Sequence, residues 1–119
     1  MTASFRVAVI GASGYAGQIL HAILMHHPCI GPKIVDAREP TDEALTACAK
    51  CDIVALATPS EAAVAWAGPL LKRGHRVLDL SDAHRRDPAA HYGLPELCLL
   101  YTSCRASPAR APAPPRPWR

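Results

Sequence analysis

Three glycines at 11, 14 and 17, in G-A-S-G-Y-A-G, stand between the apolar run Val7–Ile10 and a segment with apolar residues at 19, 20, 23 and 24. A glycine-rich turn between a strand and a helix exposes backbone amides and the positive end of the helix dipole, so this spacing suits a phosphate or diphosphate. Gly11 would make the tight turn, Gly14 would let the backbone approach an anion with no Cβ in the way, and Gly17 would let the helix pack closely on the strand. The spacing G-x-x-G-x-x-G is a relative of the commoner G-x-G-x-x-G, and a glycine turn without a ligand gives the same string. The flanking strand and helix favour the ligand.

A second chemical pair lies at the end of the next apolar run, K-I-V-D-A-R, where Asp36 and Arg38 follow one another closely. An acid there would accept hydrogen bonds from the ribose hydroxyls of NAD, whereas an arginine would pair with the extra phosphate of NADP. Both residue types are present, and solvated loop charges would look the same. Cys48 and Cys51 form one C-x-x-C, C-A-K-C, which without a second pair reads as a helix end and a strand start carrying small reduced thiols. Of the six histidines, His21, His26 and His27 decorate the first helix and its end, His75 lies in a turn, and His84 and His91 lie in a later loop with no partner cysteine to deprotonate.

Alternating strands and helices would position these residues. Residues 4–10 read as a strand buried on both faces. The helix after it would turn Ile19, Leu20, Ile23 and Leu24 to a sheet, ending before Pro28. Lys33–Ala37 is a second strand, and residues 42–49 a short helix after Thr41 with Asp42 and Glu43 in its first turn. Ile53–Ala57 is the third strand. Thr58, Pro59 and Glu61 then resemble a capping box for a helix reaching Arg73, with a bend at Gly68-Pro69, a stop at Gly74 and Trp66 packed on the sheet. Val77–Leu80 is the fourth strand. Long connections between consecutive strands imply right-handed crossovers, so the expected fold is α/β: a Rossmann-like, doubly wound parallel sheet of about four strands.

The chain of 119 residues suits one domain. Its apolar runs are too short for a membrane span or a secretory signal, and its five cysteines read as reduced thiols, so a cytoplasmic protein without a membrane partner is expected. The net charge of +3 is unevenly placed. Residues 1–97 hold nine Lys/Arg against ten Asp/Glu, while residues 98–119 hold four Arg, no acid and five of the twelve prolines. The latter composition is that of a disordered tail.

Four stretches together resemble the N-terminal part of N-acetyl-gamma-glutamyl-phosphate reductase: G-A-S-G-Y-A-G at 11–17, D-I-V-A-L-A-T-P at 52–59, D-L-S-D-A-H-R at 79–85 and Y-G-L-P-E-L at 92–97. The last is the most specific, and the resemblance spans residues 5–97. Aspartate-semialdehyde dehydrogenase, a sibling with the same chemistry, ranks second because its glycine loop usually lacks the Ser-Gly-Tyr found here. The resemblance implies that Gly11, Ala12, Ser13, Gly14, Tyr15, Ala16 and Gly17 hold a pyrophosphate, that Arg38 holds the 2′-phosphate of NADP, and that Ala57, Thr58 and Pro59 lie by the nicotinamide-side ribose. Ser81 would lie near the nicotinamide and Arg85 would face a small-molecule substrate. It also implies a homo-oligomer for the intact enzyme. In that family a cysteine thiolate attacks an acyl phosphate, phosphate leaves, and the thioester takes hydride from NADPH to give a semialdehyde.

One departure is decisive for activity. The family's nucleophile lies in an N-P-G-C-Y-P-type segment beyond Y-G-L-P-E-L, with its histidine base further on, and neither occurs here. The expectation is therefore a cofactor-binding domain over 1–97, incomplete and inactive alone, with no catalytic residue and no metal. A free-standing dinucleotide-binding module is the alternative. Residues 98–103, C-L-L-Y-T-S, translate one frame of a common sequencing-transposon end, so the tail over 98–119 is expected to be non-native sequence. A natural basic tail contacting nucleic acid is the rival reading and is disfavoured, so no nucleic-acid partner is expected.

Overall fold

The computed structural model describes residues 4–91. Among these described residues four strands and three helices alternate: β1 Phe5–Ile10, α1 Tyr15–Met25, β2 Ile30–Val35, α2 Asp42–Cys48, β3 Ile53–Leu56, α3 Ser60–Lys72 and β4 Arg76–Asp79. All strand pairs are parallel and the sheet order is β2-β1-β3-β4. The chain leaves β1 in one direction to form β2, then crosses back past β1 to form β3 and β4. The direction of winding therefore reverses at the carboxyl ends of β1 and β3, the place where open α/β sheets bind ligands.

Each face of β1 meets a different helix layer. Ala8 and Ile10 join Val54 and Leu56 under α2 and α3, where Leu45, Cys48, Trp66 and Leu70 complete the larger core. Val7, Val9 and Ala55 form the smaller core on the opposite face with Leu24 of α1. Trp66 is fully buried in the larger layer. This two-sided burial makes Val7–Ile10 a continuous apolar run.

Several boundaries and faces differ from the sequence reading. Gly17 and Leu24 are the buried residues of α1, while Ile19 and Ile23 are 44% and 62% exposed. The stripe facing the sheet is thus rotated from the expected one, because close approach at Gly17 sets the helix orientation. β2 begins at Ile30 rather than Lys33 and contains Pro32. Among the described residues it pairs only with β1, so Pro32 sits on an edge strand, the place in a sheet that tolerates a missing N–H. The third strand ends at Leu56, and the fourth spans Arg76–Asp79 instead of Val77–Leu80.

At α3 the expected capping box does not form: Pro59 is the N-cap and no side chain caps the helix. The helix runs on through Gly68 and Pro69 to Lys72. Pro69 removes a bond to the carbonyl of Ala65, an exposed residue on the solvent side of the helix. Thr41 caps α2, accepting from the Ala44 amide at 3.3 Å, and Gly74 stops α3 as expected, at φ 80°.

All seven elements belong to a compact unit ending at His84. A second unit begins at Arg85, and its described part is a turn in which Asp87 accepts from the amides of Ala89 and Ala90. The Y-G-L-P-E-L stretch and the expected tail over 98–119 lie outside the described residues.

Candidate functional site

The loop after β1 is shaped by backbone crowding. Gly11 adopts φ 83°, and a Cβ there would lie 2.5 Å from the Ala57 carbonyl oxygen. A Cβ on Gly17 would run into the Gly11 carbonyl and come within 2.7 Å of the Ala12 Cα. Both positions need glycine for the fold itself. Gly14 is different: its backbone is extended, and the nearest atom to an added Cβ is the Gly11 carbonyl oxygen, an ordinary contact at 3.6 Å.

The loop is braced from within. The Gly14 amide donates to the Gly11 carbonyl at 3.2 Å, and Gln18 Nε2 donates to the Ser13 carbonyl at 3.0 Å. Gly14 is the N-cap of α1 and offers no side chain to the first-turn amides, and no acid lies in that turn. The positive end of α1 is therefore left without a carboxylate, as an anion-binding helix start requires.

Beside this loop a cleft of about 580 Å³ opens at the carboxyl ends of the strands. Gly11, Ala12 and Ser13 form one wall, residues 34–38 after β2 a second, and Thr58, Pro59 and Ala62 at the start of α3 a third. Thr58 Oγ1 is buried there with no hydrogen-bond partner among the described residues. An unpaired buried hydroxyl costs about 1–3 kcal/mol, which a ligand donor or acceptor would offset. The uncapped amides, the space above Gly14 and the orphaned Thr58 hydroxyl fit a dinucleotide phosphate.

The structure thus brings Gly11, Ala12, Ser13, Arg38, Thr58 and Pro59 onto one cleft. Asp36 lines it as well; both it and Arg38 are exposed, and neither side chain forms a hydrogen bond or ion pair among the described residues. Gly14, Tyr15, Ala16 and Gly17 form the N-cap and first turn of α1, with Tyr15 83% exposed. Ala57 lies behind Gly11, where its carbonyl restricts the loop. Ser81 lies past β4, and Arg85, exposed, opens the second unit.

Sequence reasoning missed the network around Ser81. Asp79 Oδ1 accepts from the Ser81 amide at 2.8 Å, and its Oδ2 meets His84 Nδ1 at 2.7 Å. Ser81 Oγ accepts from the Ala83 amide at 3.2 Å, and Ser60 Oγ donates to Asp82 Oδ1. Burial pushes the Asp79 pKa up, but the hydrogen bonds from His84 and Ser81 outweigh it and hold the carboxyl below its ordinary value. Asp79 is consequently ionised at neutral pH. The only local hint in sequence was an acid and a histidine five residues apart after a strand.

The remaining thiols and rings have structural surroundings. Cys48 and Cys51 lie in the larger core, and burial raises both thiol pKa values. His26 Nδ1 meets the Ala22 carbonyl, and His27 Nδ1 accepts from the Cys29 amide, fastening the end of α1.

A doubly wound parallel sheet with a glycine loop and an open cleft at its switch point defines a dinucleotide-binding domain. The family described as Semialdehyde dehydrogenase, NAD binding domain matches residues 32–99, and the chain belongs to that family. Its cofactor is a nicotinamide dinucleotide.

Curated relatives agree with this placement. The chain is 35% identical over 123 residues to N-acetyl-gamma-glutamyl-phosphate reductase of Xylella fastidiosa (strain M23), covering 81% of this chain and 36% of the relative. A protein of the same name from Methanoregula boonei is 32% identical over 130 residues, covering 77% and 38%. The chain spans about a third of the length of these relatives. Among solved structures, aspartate semialdehyde dehydrogenase II of Vibrio cholerae, complexed with ASA, superposes with a TM-score of 0.54 at 19% identity over 72% of this chain and 30% of that one. Aspartate semialdehyde dehydrogenase from Francisella tularensis gives the same TM-score at 17% identity, with coverages of 71% and 29%. At such identities the likeness is one of fold.

Proposed function

We propose that this chain is the cofactor-binding part of an NADP-dependent N-acetyl-gamma-glutamyl-phosphate reductase of arginine biosynthesis, a cytoplasmic enzyme that assembles as a homo-oligomer when intact. The observation that carries the reading is the unpaired Thr58 hydroxyl buried beside the uncapped start of α1. The loop from Gly11 to Gly17 holds the diphosphate through amides other than that of Gly14, the guanidinium of Arg38 pairs with the 2′-phosphate, and the hydroxyl of Thr58 binds the ligand where β3 meets α3. Pro59 and Ala57 shape the wall behind it, Ser81 lies toward the nicotinamide, and Arg85 faces the substrate. The cofactor, when bound, supplies a hydride to an acyl group.

The nucleophile is a separate matter. These 119 residues contain no N-P-G-C-type segment, and Cys48 and Cys51 are protonated core thiols rather than thiolates. The chain therefore binds cofactor without reducing an acyl phosphate. Titration of the purified chain with NADPH and NADH, followed by cofactor fluorescence, tests the site: saturable binding with NADPH preferred supports it, and no binding of either to folded protein refutes it. Turnover of N-acetyl-gamma-glutamyl phosphate by the same sample would refute the inactivity.

A further inference from the structure

Sheet order gives the bound dinucleotide a direction. Residues 34–38 after β2 and the loop after β1 form one side of the cleft, and Thr58 and Pro59 after β3 the other. A dinucleotide with its adenosine at β2 and its diphosphate at β1 must continue over β3 toward β4, about 10 Å further at ordinary strand spacing. The segment 79–84 waits there. Asp79 is the register partner of Leu56, the Leu80 amide donates to the Leu56 carbonyl at 3.0 Å, and Asp82 is fastened to Ser60 beside Pro59.

Within that segment most polar groups hold the loop itself. Both Asp79 oxygens are engaged, Ser81 Oγ receives the Ala83 amide, and Asp82 receives Ser60. A carboxylate only accepts hydrogen bonds, so Nδ1 of His84 carries the proton in the contact with Asp79. That contact fixes the orientation of the ring and leaves Nε2 as its remaining polar atom.

We infer that His84, oriented by Asp79, binds the nicotinamide half of the dinucleotide through a hydrogen bond between Nε2 and the carboxamide or a ribose hydroxyl. Asp79 is a positioning residue in this arrangement. The inference rests on the reading that the cleft takes a nicotinamide dinucleotide.

The test compares NADPH and NADH with ADP, which lacks the nicotinamide half, on the full 119-residue chain. His84→Ala is expected to weaken both dinucleotides about 3- to 10-fold and leave ADP affinity unchanged, as loss of one hydrogen bond predicts. In the unsubstituted protein, the ¹⁵N resonance of His84 Nε2 is expected to shift on adding either dinucleotide and to stay in place with ADP. Equal losses for all three ligands, no loss for any, or an unmoved Nε2 resonance in the presence of a bound dinucleotide would overturn the inference. If the unsubstituted chain binds none of the three, the cofactor reading fails first and the inference with it. Should His84→Ala fail to fold, the resonance measurement on the unsubstituted chain decides.

Discussion

The carbonyl oxygen of Gly11 occupies the space that a side chain on Gly17 would need, whereas Gly14 between them has room for one. Gly17→Ala is therefore expected to destabilise the chain by about 3 kcal/mol or more, because backbone on both sides must move. Gly14→Ala is expected to change stability by less than about 1 kcal/mol while weakening NADPH at least roughly tenfold, since its Cβ would enter the ligand's space. Denaturant unfolding and cofactor titration of the two variants separate these effects. A Gly14→Ala chain with unchanged affinity would show that the loop does not touch the phosphates.

On the proposed reading, cofactor preference turns on Asp36 and Arg38, which line the same cleft. An arginine paired with a 2′-phosphate contributes about 1.5–3 kcal/mol, so Arg38→Ala is expected to weaken NADPH about 10- to 100-fold and leave NADH nearly unchanged. Asp36→Ala is expected to weaken NADH more than NADPH. A reversal, with NADH lost in Arg38→Ala, would assign the adenosine ribose to the wrong side chain. Parallel titrations with the two cofactors measure it.

How far the sequence reached depends on whether a feature was local. The parallel sheet followed from the alternation of apolar runs and amphipathic segments, and Gly11 and Gly17 followed from a strand-turn-helix pattern that backbone sterics impose. What stayed hidden depended on distant partners. β2 begins at Ile30, ahead of the expected Lys33, and takes in Pro32 because it is an edge strand. The inward face of α1 depended on how closely Gly17 approaches the turn, which hydrophobic spacing does not encode. The Asp79–His84 contact formed only because the chain folds back after β4. Thr58 read as a helix cap, yet the helix starts one residue later and its hydroxyl is buried without a partner among the described residues.

Asp79 gives the fold an acid limit. Its native pKa is held below the ordinary value of 3.8, so its stabilising contribution is fully present at neutral pH. That contribution disappears as pH falls from about 5 through the depressed native value. Asp79→Asn is expected to be less stable at pH 7 by about 1–2 kcal/mol and to lose less stability on acidification than the unsubstituted chain. Unfolding curves at pH 7 and at a pH well below 3.8 check both signs. Identical acid slopes for the two proteins would remove Asp79 from this role.

The core thiols make a kinetic prediction. Among the described residues Cys29 is exposed, while Cys48 and Cys51 are buried with raised pKa values, so native protein is expected to alkylate at Cys29 before Cys48 and Cys51. Labelling of Cys48 and Cys51 is expected to become comparable only in denaturant. Peptide mass spectrometry after a timed iodoacetamide pulse resolves the three sites. Fast labelling of Cys51 in folded protein would contradict its burial.

Thr58 offers the sharpest separation of fold from ligand. Its Oγ1 is buried without a partner among the described residues, so the hydroxyl lowers the stability of the ligand-free chain. Thr58→Val keeps the branched shape and removes the unpaired oxygen. The ligand-free variant is therefore expected to be equally stable or more stable by up to about 1–2 kcal/mol. If the hydroxyl serves the cofactor, the same variant binds NADPH about 3- to 10-fold more weakly, because the new methyl group offers the ligand nothing in return. The two measurements then move in opposite directions, which a purely structural threonine would not produce. Lower stability together with unchanged NADPH affinity would mean that the hydroxyl supports the fold, and the cofactor reading of this wall of the cleft would be lost.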